Sequence, residues 1–240
     1  MTASFTAVGV GPGDPELLTL RAVRVLREAD VVMTPVGDRS DSSLALSIVN
    51  EHLDPDRQQI LTRTFPMRQP QALLEDAWRT IATEVAQLVN AGKKVAFVTL
   101  GDPFLYSTFL YLLRELQRAY PEVPVASVPG ISSMHAAAGL AGLPLGLADE
   151  TLSVVPATAP DTEIEEALQR SGTLVLFKVY RSFARIRSLL QKHDLVRHAV
   201  YVRRIGLEGE RVVHDLDQVR DEDLDYLSLI LVRAAEENHG

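Results

Sequence analysis

The stretch Val95-Ala96-Phe97-Val98-Thr99-Leu100-Gly101-Asp102-Pro103 decides how the chain folds. Val95–Thr99 shows no alternation of polar and apolar positions, so it reads as a strand buried on both faces, as strands of a parallel sheet are. Gly101-Asp102-Pro103 ends it. Glycine permits close backbone approach and proline stiffens the turn. Asp102 sets an anion at the carboxyl end of the strand, where ligands of open α/β sheets bind. A helix is expected over Leu105–Ala119.

On either side the same grammar repeats. Phe5–Val10, Val31–Pro35 and Val123–Val128 read as strands, and Leu18–Ala29, Ser43–His52 and Gln71–Asn90 as helices. In the last of these Leu74, Trp78, Ile81, Val85 and Leu88 recur at three- and four-residue spacing. Leu61–Gln69 reads as irregular, and Ser132 or Ser133 caps a helix over Met134–Gly139. Such β-α alternation implies a mostly parallel sheet covered by helices on both faces. Gly142, Pro144 and Gly146 mark a boundary, giving expected domains 1–147 and 148–240. In the second, strands at Leu152–Val155, Thr173–Phe177, Ala199–Val202, Arg211–Val213 and Leu227–Val232 outnumber the helices near Glu163–Gln169 and Phe183–Lys192, so a mixed sheet is expected there.

Three loops at strand ends carry the candidate chemistry. Val8-Gly9-Val10-Gly11-Pro12-Gly13-Asp14-Pro15 lacks the sixth-place glycine of a dinucleotide fingerprint, where Asp14 would instead repel a pyrophosphate. No Gly-Lys-Ser/Thr follows, so it is not a phosphate loop either. Taken alone it reads as a tight turn with Asp14 as a helix cap. The second loop is Leu100–Thr108 and the third Val128-Pro129-Gly130-Ile131-Ser132-Ser133; each alone also serves as capping. Together they offer backbone groups, hydroxyls and carboxylates but no lysine or arginine. That suits a positively charged ligand bearing a ribose, such as S-adenosylmethionine, better than a phosphate.

Composition narrows the rest. Of 240 residues none is cysteine, which excludes disulfides, thiolate nucleophiles and cysteine metal sites, and makes a reducing cytoplasm the expected compartment. A net charge of −8 and the absence of a basic stripe argue against a nucleic-acid partner. The N-terminus has no signal-peptide pattern, and no apolar stretch approaches the roughly 20 residues a bilayer demands, so no membrane role is expected. The six histidines (His52, His135, His193, His198, His214 and His239) show neither HxH nor HExxH spacing, so no metal site is expected. Trp78 reads as core or dimer contact.

Val8–Asp14, Gly101-Asp102-Pro103 and Pro129–Ser133 resemble the tetrapyrrole (corrin/porphyrin) methylase family, and the resemblance extends over essentially the whole chain. Further matches point within that family to the branch methylating carbon 20 of precorrin-2 on the cobalamin route. They are Phe65-Pro66-Met67, Ala77-Trp78, Leu100–Phe109, Val154–Thr158, Phe177-Lys178-Val179, Tyr201–Gly206 and Tyr226-Leu227-Ser228. The resemblance implies a two-domain α/β homodimer with its active cleft between a mostly parallel N-terminal sheet and a mixed C-terminal one. It implies S-adenosylmethionine as methyl donor, S-adenosylhomocysteine as product and no metal. Donor contacts carry over onto Pro12, Leu100, Gly101, Asp102, Leu105, Ser132 and Ser133, and from the second domain onto Lys178 and Gly206. Lys178 stands where other members often have an apolar residue, which leaves it a structural or substrate-facing alternative.

Methyl transfer from a sulfonium to an enamine-like carbon needs alignment and a dry cleft more than acid–base machinery. Asp102, Tyr106, Ser107 and Thr108 are the candidate polar groups. Asp102 is expected to orient the donor and Tyr106 to contact the substrate or remove a late proton. A polycarboxylate substrate on an acidic protein needs a local cationic rim, for which Arg63, Arg68, Arg203 and Arg204 are candidates, each with solvated surface charge as its alternative. Rival readings are another tetrapyrrole position or the cobalt-bearing counterpart, a same-fold RNA or protein methyltransferase, and a non-catalytic sensor of S-adenosylmethionine.

Overall fold

Alternation along each buried strand deals its side chains to opposite faces, and the resulting apolar layers set the architecture of each half of the chain. The computed structural model describes residues 3–37, 42–65 and 71–233, so Pro66, Met67, Arg68 and His239 lie outside it. The chain divides into two compact units, Met1–Ser132 and Ser133–Gly240. That division falls earlier than the boundary read at Leu147–Ala148. The reason is the helix α5 (Ser133–Ala141), whose Ala137, Ala138 and Ala141 pack on the second sheet.

In the first unit, β1 (Ser4–Gly9), β2 (Val31–Val36), β3 (Gln59–Thr64), β4 (Lys94–Thr99) and β5 (Val125–Val128) form one parallel sheet ordered β3-β2-β4-β1-β5. Phe5, Ala7, Met33, Val95 and Phe97 face α3 (Gln71–Asn90) and α4 (Phe109–Ala119). Val8, Val32, Ala96 and Val98 face α1 (Leu20–Glu28) and α2 (Leu44–Val49). The Phe5, Phe97 and Phe109 rings meet with centroids 6.2 Å apart. Fully burying such a side chain contributes about 1.5–3 kcal/mol. Thr19 and Ser43 cap α1 and α2 through the N–H groups of Ala22 and Leu46.

Two expectations are corrected here. Residues 59–64, none of them in an expected helix or strand and four within the stretch read as irregular, form β3, an edge strand paired with β2 alone. The helix expected from Leu105 begins at Phe109, because the preceding loop runs on through Thr108.

In the second unit, β6 (Leu152–Pro156), β7 (Thr173–Phe177), β8 (Ala199–Arg203), β9 (Arg211–Val213) and β10 (Ser228–Arg233) are ordered β6-β7-β10-β8-β9. Only the β6–β7 pair is parallel, with α6 (Asp161–Arg170) crossing between them; the other pairs are antiparallel, as the mixed-sheet reading expects. One face packs on α6 and α7 (Phe183–Lys192), the other on α5.

Candidate active site

β4, β1 and β5 are neighbours in the first sheet, so the three glycine-bearing loops leave side by side from its carboxyl edge. They touch through backbone. A Cβ on Gly9 would stand 2.6 Å from both the Gly101 oxygen and the Gly130 nitrogen, and one on Gly130 only 2.0 Å from the Gly101 oxygen. Gly101 N–H donates to the Gly11 carbonyl at 2.8 Å, and Gly11 N–H returns a longer bond of 3.4 Å. Both glycines have positive φ, +79° at Gly11 and +64° at Gly101, a conformation open to residues without Cβ.

Asp102 locks this arrangement. Its Oδ1 accepts the Phe104 N–H at 2.8 Å, closing its own turn, and its Oδ2 accepts the Gly130 N–H at 3.1 Å, tying the second loop to the third. The half-buried carboxylate is thus both a local anion and a brace. Asp14 takes the plain role open to it, accepting the Glu16 N–H at 2.8 Å at the head of a 3-10 turn over Pro15–Leu17. Pro12 and Ser132 are buried, Ser132 beside Gly101, while Leu100 and Leu105 are half-buried. Tyr106 is nearly half exposed and holds a left-handed φ of 53°.

In the second unit, Lys178 directly follows β7, exposed and with φ 59°. The turn after β8 carries Arg204 at φ 51° and Gly206 at φ 71°, and the Gly206 N–H donates to the Glu210 carboxylate at 2.7 Å. Ser133 opens α5.

The described arginines of the expected rim are engaged within their own units. Arg63 grips Glu84 through two hydrogen bonds, one of 2.6 Å from Nε, and that partner raises its pKa. Arg203 donates to the Glu222 carbonyl at 2.6 Å and lies 3.8 Å from Asp223; Arg204 pairs with Asp225 at 3.2 Å. Asp223 and Arg211 escape the sequence reading. Burial alone would raise the Asp223 carboxyl, but the Arg220 N–H and the guanidiniums of Arg211 and Arg203 hold it below the usual carboxylate range. Burial pushes the neighbouring Tyr201 phenol upward, and its hydroxyl donates to the Asp223 carbonyl at 2.7 Å.

Elsewhere, a pocket lined by Ser4, Thr6, Glu28 and Lys94 sits at the amino ends of β1 and β4, the opposite edge of the sheet from the loops. Among the described residues no helix is long and apolar enough to cross a membrane, and no group of three metal-ligating side chains gathers.

The family model for tetrapyrrole (corrin/porphyrin) methylases matches residues 4–219. Over 233 residues, 97% of each chain, the sequence is 40% identical to the cobalt-precorrin-2 C(20)-methyltransferase of Salmonella typhimurium. It is 34% identical to the precorrin-2 C(20)-methyltransferase of a Sinorhizobium species, across 94% of this chain and 93% of the relative. The uroporphyrin-III C-methyl transferase of Thermus thermophilus, solved in complex with S-adenyl homocysteine, matches with a TM-score of 0.66 and 26% identity, covering 96% of this chain and 97% of that one.

Proposed function

The chain belongs to the tetrapyrrole (corrin/porphyrin) methylases, and from that premise we propose that it transfers a methyl group from S-adenosylmethionine to carbon 20 of a precorrin-2 macrocycle in cobalamin biosynthesis. The observation that carries this reading is the 40% identity, sustained over 97% of both chains, to a relative named for that reaction.

The donor set fits S-adenosylmethionine: backbone groups, hydroxyls and the half-buried carboxylates of Asp14 and Asp102, with no lysine or arginine in the three loops. When bound, that donor supplies a methyl group already activated by its sulfonium. Pro12, Leu100, Gly101, Leu105 and Ser132 hold it in the first unit; Ser133, Lys178 and Gly206 are proposed for the same ligand from the second. Asp102 acts twice, bracing the loops and setting a negative field at their edge. Tyr106 contacts the macrocycle. Alignment and water exclusion by these groups supply the acceleration, since the bridging carbon brings its own electron pair and sheds its proton after methylation.

Carboxylates of the macrocycle fall to Arg63, Arg203, Arg204 and Arg68. We read the protein further as a cytoplasmic homodimer acting without a resident metal; the cysteine-free composition supports the compartment.

The test is incubation with carbon-13-methyl donor and either precorrin-2 or its cobalt-bearing counterpart, with carbon NMR locating the label. A new methyl at carbon 20 supports the reading, and the faster substrate identifies the metal state. Labelling at another carbon assigns a sister position, and label in neither macrocycle overturns the proposal.

A further inference from the structure

Thr99 is the last residue of β4 and Ser107 lies just ahead of α4, and their hydroxyls meet at 2.9 Å, both buried. Ser107 Oγ also accepts the Phe109 N–H at 3.1 Å, a first-turn donor that Thr108, at the N-cap position, leaves to it. One hydroxyl pair thereby ties strand end to helix start and closes the loop Leu100–Tyr106 at its base. The front half of that loop has its own supports: the Gly11–Gly101 bridge, and Asp102 bound to Phe104 and Gly130. The back half ends in Tyr106, whose left-handed backbone an L residue disfavours because its Cβ crowds the carbonyl.

We propose that the Thr99–Ser107 hydroxyl pair is a positioning device that holds Tyr106 in its left-handed conformation and presents the phenol to the methyl acceptor, while Gly101 and Asp102 serve the donor without it. The inference rests on the methyltransferase reading for the acceptor's identity, though not for the backbone constraint. Strain at a single residue persists where its surroundings over-determine it, and a buried, doubly used hydroxyl immediately after Tyr106 is such a constraint.

Thr99→Val removes the hydroxyl at constant shape, and Thr99→Ser keeps it. Misplacement by an ångström costs about a hundredfold in rate, so Thr99→Val should lower kcat by about tenfold or more. Thr99→Ser should stay near the parent, and calorimetry should find S-adenosylhomocysteine bound equally by all three, because Leu105, also proposed for the donor, is tied to the front of the loop by its N–H bond of 3.3 Å to the Asp102 carbonyl. Equal kcat for the two variants overturns the proposal. So does a donor affinity that falls in step with kcat, because the loop would then merely have loosened.

A second arm is independent of turnover. With the pair intact, Tyr106→Gly should melt about 3 °C above Tyr106→Ala, because glycine adopts the left-handed region freely. With Thr99→Val added, the gap should close as the backbone relaxes. No gap in the intact chain, or one that survives Thr99→Val, refutes the constraint. A parent enzyme that methylates no tetrapyrrole would sink the functional reading and leave this melting comparison to judge the hydroxyl pair.

Discussion

Gly130→Ala tests the convergence of the three loops most directly. The added Cβ would lie 2.0 Å from the Gly101 oxygen, 2.7 Å from the Gly9 carbonyl carbon and 2.8 Å from the Gly9 Cα, where ordinary contact begins near 3.4 Å. All three atoms are backbone, so no rotamer change relieves the overlap and the loops must part by more than an ångström. Overpacking of this kind costs about 1–3 kcal/mol. The same movement breaks the Gly130 N–H bond to the Asp102 carboxylate, and a hydrogen bond to a charged group contributes about 1.5–3 kcal/mol, taken at its lower end for a half-buried acid. Together the loss is about 3–4 kcal/mol, which for a chain of this size lowers Tm by about 10 °C. Thermal unfolding followed by circular dichroism gives that number, and calorimetry with S-adenosylhomocysteine should show weakened binding. A variant melting within about 2 °C of the parent, with unchanged affinity, would mean that the loops do not pack backbone on backbone.

Other sites give independent checks. Gly139 is exposed in the interior of α5 with open space around its missing Cβ, so Gly139→Ala should stabilise by about 0.5–1 kcal/mol; a lower Tm would contradict the helix there. Asp223→Asn uncouples a buried carboxylate from two guanidiniums and should cost about 3–5 kcal/mol at neutral pH. Because the native pKa is depressed, that deficit should be full above about pH 4 and shrink as pH falls through the native value, as melting curves from pH 7 to 3 would record. Glu84→Gln frees Arg63 from a partly exposed pair, so stability should change by less than about 1 kcal/mol. If Arg63 grips a substrate carboxylate, KM for the macrocycle should drop about two- to fivefold, and an unchanged KM removes Arg63 from the substrate surface.

What the sequence discloses is local. The run Val95–Thr99 reads as a buried parallel strand because both of its faces are apolar, and it is one. Gln59-Ile60-Leu61-Thr62-Arg63-Thr64 is as much a strand, but at the sheet edge half its surface meets water, so polar residues blur its pattern. Leu105–Thr108 reads as the first turn of the helix that becomes α4. What delays the helix is Ser107, eight positions after its partner Thr99, a pairing no periodicity announces. The glycines are legible as turns, whereas their mutual contact follows from the strand order β4-β1-β5, which seats the loop after β1 between loops about ninety and about one hundred and twenty residues further along the chain. Asp223 carries no signal in the acidic run Asp221-Glu222-Asp223, because its burial depends on β8 and β9 bringing Arg203 and Arg211 onto it.

Those pairings also order the arginines proposed for the substrate. A polycarboxylate approaching a chain of net charge −8 gains little from a guanidinium that already holds an anion, unless it can replace that anion. Arg63 and Arg204 are about a third exposed, as in part are Glu84 and Asp225. Pairs of this kind are worth about 0–1 kcal/mol, so exchanging the internal carboxylate for a ligand's is close to neutral and can follow binding. Arg203 differs, because its partner Asp223 is shut away from water with a side-chain exposure of 1%. Pulling Arg203 off it leaves a buried carboxylate resting on Arg211 and the Arg220 N–H, and removing one partner from such a cluster costs about 3–5 kcal/mol. The substrate would have to supply that energy. Arg63 and Arg204 therefore rank above Arg203 among the proposed carboxylate ligands, and Arg203 serves chiefly to tie the end of β8 to Glu222 and Asp223.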